Sequence, residues 1–154
     1  LQYFKSKFIR RIMLHTFLIN ATQDLQTLID ISILDMNDIK EANHEAIFAR
    51  LESKNALIDS FKSNKSNADA EMQKLIKAHP NNKIEELLDE KAMAIIDEMR
   101  LNLMKLRTLN KNYARSVIAV REFYDSLVNS MIPSQKVGYG NKSVAKVDFI
   151  NVRA

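Results

Sequence analysis

Three histidines and nineteen acids are the side chains of this chain equipped for metal or acid–base chemistry. His15, His44 and His79 fall in three separate regions, whereas a zinc site on helices uses paired ligands such as His-x3-His. Glu41-x-x-His44 matches half of a di-iron bundle motif, which requires a second such pair and two further inward glutamates. No second pair exists, and Glu41 stands where a turn is expected, so both residues read as solvated surface. The acid pairs Glu85-Glu86, Asp89-Glu90 and Asp97-Glu98 suit the polar side and the N-terminal end of a helix, where negative charge meets the helix dipole. A general acid needs instead a pKa raised by burial or like-charge crowding. Gly138-Tyr139-Gly140 lacks a phosphate-loop pattern, and the absence of cysteine removes disulfides, thiolate metal sites and a cysteine nucleophile. The expectation is a non-enzyme with no catalytic residues, no metal and no cofactor.

The elements that carry these residues follow from what is scarce. Two glycines and two prolines in 154 residues cannot supply the tight turns of an all-β or alternating α/β fold. Apolar residues recur instead at alternating spacings of three and four, the period of amphipathic helices. Leu14, Leu18, Ala21, Leu25, Leu28, Ser32, Met36 and Ile39 trace a first helix, with Asp30, Asp35 and Asp38 mostly on its water side. Asn43 caps a second, whose face is Ile47, Leu51, Ile58, Phe61, Ala68, Met72, Leu75 and Ile76. Lys54 and Lys65 occupy seam positions, and the polar run Lys62–Asp69 predicts fraying or a break. His79-Pro80 ends that helix and Asn82 caps the next.

The third segment, Ile84 to Met131, holds its spacing for roughly six heptads through Leu88, Ala92, Ile95, Met99, Leu103, Leu106, Asn110, Tyr113, Val117, Val120, Tyr124, Leu127 and Met131. At ~1.5 Å per residue this is a rod of about 70 Å, too long to bury its stripe without partners. The predicted fold is all-α: a long antiparallel coiled-coil hairpin or three-helix bundle, the two shorter helices packing along the third, with a flexible C-terminal tail. Residues 13–132 form the helical domain, 1–12 a basic extension upstream of Met13 as the natural start, and 133–154 the tail. Late in the third helix, Val117, Val120, Phe123, Tyr124, Leu127, Val128 and Met131 make a stripe wider than a two-stranded seam requires. That surplus suits a groove for a partner's amphipathic helix.

Charge narrows the partner. Lys5, Lys7, Arg10 and Arg11 account for the whole net charge of +4, leaving nineteen basic and nineteen acidic residues in the remainder. A nucleic-acid binder needs a basic stripe on its folded body, so nucleic acid is not the expected ligand. No stretch approaches the ~20 apolar residues of a membrane span, and stable membrane insertion is not expected. The lack of cysteine fits the cytoplasm.

Glu52-Ser53-Lys54-Asn55-Ala56-Leu57 resembles the Glu-Lys-x-x-Leu pattern of the FlgN family of flagellar export chaperones, and Leu106–Asn112 is similar to that family's Leu-x-x-Leu-Asn-x-x-Asn element with the second asparagine one place early. A bulky run at Phe123–Leu127 and the pair Tyr139-Gly140 follow in the family's order. The resemblance covers roughly Met13 to Asn141. It implies a cytoplasmic chaperone that binds the C-terminal helix of a hook–filament junction protein through Val117, Val120, Phe123, Tyr124, Leu127, Val128 and Met131. It further implies delivery to the cytoplasmic domain of the flagellar type III export gate, with Tyr139 and Gly140 as the docking element. The alternative from another class is a structural coiled-coil component of a secretion apparatus, either a self-associating rod or an ATPase stalk.

Overall fold

The first helix is the middle of the molecule. The computed structural model describes residues 1–131, and in it α1 (Gln2–Lys40) packs against both α2 (His44–Ala78) and α4 (Glu90–Met131). Ten residues of α1 are buried, against two in α2 and three in α4. The expected arrangement, two shorter helices packed along the last one, is therefore corrected: α1 is the shared spine. Its Leu14, Leu18, Ala21, Leu25, Leu28 and Ile29 form the core with Ala68 of α2 and Ala92, Met99 and Leu106 of α4. The three alanines let the backbones approach closely, and the heptad-spaced Ala92, Met99 and Leu106 keep α4 in register. The buried hydroxyls of α1 are satisfied locally: Thr22 Oγ1 donates to the Leu18 carbonyl and Ser32 Oγ to that of Leu28. The all-α fold is as expected from the sequence.

Direction follows from the cross-helix contacts. Asp24 of α1 meets Ser60 and Asn64 of α2, and Asp35 meets Arg50 and Lys54, so these helices are antiparallel. His15 lies against Asp89 just before α4, and Asp35 and Lys54 are level with Tyr113 well along it, so α4 runs parallel to α1. The turn between α1 and α2 is a Schellman motif: the Asn43 amide donates to Asp38 O at 2.8 Å and the Ala42 amide to Ile39 O at 3.3 Å. The motif places Ala42 at φ 56°, a left-handed conformation that glycine takes at lower cost. Asn43 then caps α2, its side chain accepting from the Ala46 amide.

Two further expectations are corrected. The polar run Lys62–Asp69 does not break α2, which is continuous to Ala78. Ser60 and Asn64 are tied to Asp24, Lys65 pairs with Asp69 one turn on, and Ala68 is buried, so tertiary contacts override weak propensity. The last long helix does not start at Ile84. A single turn, α3 (Ile84–Leu87), is followed by extended backbone at Leu88, and α4 begins after Asp89, whose carboxylate accepts from the Ala92 amide at 2.9 Å. The α4 rod is accordingly roughly 60 Å long. The segment expected as a flexible tail, 133–154, lies outside the described residues.

Candidate client-binding face

The register of the bundle decides where α4 loses its partners. Tyr113 is level with Asp35, and α1 ends five residues later at Lys40, so α4 passes the α1–α2 turn near residue 118. The remaining turns, to Met131, extend beyond that turn by about 20 Å. Every residue from Arg121 to Met131 is exposed.

The apolar residues of this protruding end are not scattered. At 100° per residue, Tyr113, Val120 and Leu127 continue the line of Ala92, Met99 and Leu106, drifting by about 20° per heptad as a straight helix does. Val117, Tyr124 and Met131 extend the companion row. The seam that packs on α1 in the middle of the molecule thus continues without change of face into a region where no described residue covers it. Val117 and Val120, at the turn, are half-buried, whereas Tyr124, Phe123 and Met131 are 49%, 62% and 78% exposed, and Leu127 and Val128 are exposed too. The seven candidate residues are therefore brought onto one end of one helix, with Val117 and Val120 as its base. Phe123 and Tyr124 meet edge to face at 6.1 Å. Arg121 and Asp125 form a loose exposed pair at 3.9 Å beside the stripe. Tyr139 and Gly140, the candidate docking pair, lie outside the described residues.

Below this end, a buried charged layer fastens all three helices. Asp35, expected with Asp30 and Asp38 mostly on the water side of α1, is only 3% exposed and lies inside the bundle. Arg50 Nε donates to Asp35 Oδ1 at 2.9 Å, Lys54 Nζ donates to Asp35 Oδ2 at 3.1 Å, and Arg50 also pairs with Asp38. The hydrogen bond to Asp38 does most to raise the Arg50 pKa; desolvation opposes it and Asp35 adds to it. Lys54 Nζ sits 5.7 Å from the centre of the Tyr113 ring, joining α2 to α4. Burial, and then the Asp35 charge, raise the Tyr113 hydroxyl above its ordinary pKa. The seam position of Lys54 was the one sequence signal for this layer; that its partner is Asp35 depends on the register of two helices.

At the opposite end, His15 Nε2 lies 2.9 Å from Asp89 Oδ1, so one carboxylate both starts α4 and binds it to α1. Burial works against ionisation of Asp89, but the Ala92 amide and then His15 outweigh it and hold the carboxyl below its ordinary value. An open hollow of about 440 Å³ lies between the first turns of α1 and the end of α2, lined by Lys5, Ile9, Arg10, Met13, Glu71 and Lys74 among others. Lys74 Nζ donates to Glu71 Oε1 at 2.9 Å. Among the described residues no group of three or more His, Asp or Glu side chains is placed to hold a metal ion, and no helix is long and apolar enough to cross a membrane. Comparison of the chain with protein-family models, curated proteins and solved structures found no match.

Proposed function

We propose that this protein is a helix-binding chaperone whose protruding α4 takes the apolar face of an amphipathic helix from another protein. One observation supports the reading above all: the α4 core seam runs on past the α1–α2 turn as Tyr124, Leu127 and Met131, with nothing among the described residues lying on it. A surface built to the geometry of a helix–helix seam is matched by a second helix rather than by a small molecule. Burying five such side chains contributes on the order of 10 kcal/mol, and association removes a large part of it. The expected affinity is micromolar or weaker, which suits a carrier that must release its cargo.

The resemblance of Glu52–Leu57, Leu106–Asn112 and Tyr139-Gly140 to FlgN-type chaperones makes the reading specific. On it, the cargo is the C-terminal helix of a hook–filament junction protein, the compartment is the cytoplasm, and the destination is the cytoplasmic domain of the flagellar export gate. The role is binding without catalysis. The second reading, a self-associating rod, draws on a separate observation: α1 and α4 are parallel and expose apolar residues at opposite ends, a geometry open to head-to-tail stacking.

Titration calorimetry of the full chain with a junction-protein C-terminal peptide tests the proposal. A 1:1 complex is expected, with Val120→Asp/Leu127→Asp lowering affinity at least about a hundredfold while the helical circular dichroism stays unchanged. Peptide binding unaffected by that double variant would overturn the site. Concentration-dependent oligomers in sedimentation, abolished by the same variant, would favour the rod.

A further inference from the structure

The first turns of α1 carry a second exposed apolar surface, set apart from the α4 seam by its cations. Leu1, Phe4, Phe8 and Ile12 recur at spacings of three, four and four. By heptad spacing Phe4 stands two repeats before Leu18, and Leu1 and Phe8 stand on the line of His15, Thr22 and Ile29, so they border the buried face of α1, with Ile12 farther round. The apolar residues of the first three turns thus spread from the border of the core face, and all of them are exposed. Phe4 and Phe8 are 78% and 67% exposed, and Leu1 and Ile12 are exposed beside them. Lys5 lies within this face, while Arg11 and Lys7 flank it and Arg10 lies farther round. The first acid in the chain is Asp24.

We infer that residues 1–13 dock in the plane of an anionic phospholipid surface. The inference does not depend on the client-binding reading, which concerns the other end of the molecule. Charge complementarity selects the occupant. The four cations outnumber the one acid that shares a hollow with Lys5 and Arg10, Glu71, which is already paired with Lys74, so an isologous contact with a second copy would bring like charges together. They match lipid phosphates, and the lysine and arginine stems can lie along the acyl boundary with their charges in the headgroups. Nucleic acid offers phosphates too, but no apolar layer to receive Phe4, Phe8 and Ile12. A helix with aromatic and aliphatic residues on one side and basic residues around it lies in the interface rather than across it, in keeping with the absence of a membrane-spanning helix among the described residues.

The chain has no tryptophan, so single substitutions give clean reporters. Phe4→Trp and Leu127→Trp full-length proteins are mixed with vesicles of phosphatidylcholine containing about one third phosphatidylglycerol, and with phosphatidylcholine alone. The expected result is a blue shift of emission for Phe4→Trp with anionic vesicles only, reversed by high salt, and no shift for Leu127→Trp. In vesicle sedimentation, Phe4→Asp/Phe8→Asp should weaken binding at least about tenfold. Replacing Lys5, Lys7, Arg10 and Arg11 by Gln should remove the preference for anionic lipid, with helicity unchanged in both proteins. The inference is overturned by no shift for Phe4→Trp, or by a shift at Leu127→Trp instead. It is equally overturned if Phe4→Asp/Phe8→Asp binds as before, if it instead dissolves an oligomer of the chain, or if a DNA duplex displaces the vesicles and binds that variant undiminished.

Discussion

The two protruding ends of this bundle expose similar apolar side chains and differ in the charge around them. At the far end of α4 the exposed residues stay on the line that packs against α1 in the middle of the molecule, so the surface keeps helix–helix geometry. At the near end of α1 the exposed apolar residues border the core face and stand among four cations, with no acid in the same segment. Exposure alone does not tell these cases apart. The charge around each patch does, and it separates the helix site proposed for α4 from the anionic surface proposed for α1.

Predictions that probe this contrast begin with the packed seam. Leu25, 1% exposed, should lose about 3 kcal/mol of unfolding free energy as Leu25→Ala, whereas Leu127→Ala on the open seam should change it by less than about 0.5 kcal/mol. Urea denaturation of the two variants measures the difference, and an equal loss would mean that the end of α4 is core. Next, Arg50→Ala leaves Asp35 buried with Lys54 alone and should cost about 2–3 kcal/mol. Because the charged layer holds the base of the protruding α4, this variant should also raise amide exchange around Tyr113.

A smaller effect belongs to the near end. Asp89→Ala removes the α4 cap and the His15 contact and should cost about 1 kcal/mol. The Asp89 pKa is lowered on folding, so its stabilisation is full above the ordinary value of 3.8 and is lost as pH falls through the lower folded value. In acid, wild type and Asp89→Ala should converge in stability; a gap that stays constant would remove ionisation from the account. The smallest change is a gain: Ala42→Gly relieves the left-handed turn and should stabilise the protein by about 0.5–1 kcal/mol, read as a raised thermal midpoint. Peptide binding at the site proposed on α4 should be unchanged by it.

Much of this was legible in the chain before any coordinates. The three- and four-residue spacing of Leu14–Ile39 and Leu88–Met131, the near absence of glycine and proline, Asn43 as a cap and His79-Pro80 as a stop are local properties, and local physics determines helices. The stripe from Val117 to Met131 was visible for the same reason. What periodicity does not contain is the pairing of one helix with another. Asp35 reads as surface until Arg50 and Lys54 arrive from α2; the polar run Lys62–Asp69 reads as a break until Asp24 holds its near end. Which helix becomes the spine, where α4 runs out of neighbours, and that Asp89 rather than Asn82 starts it are set by long-range register. Hydrophobic spacing tells each helix which side to bury, but only the packed bundle decides how far along its length that side finds a partner.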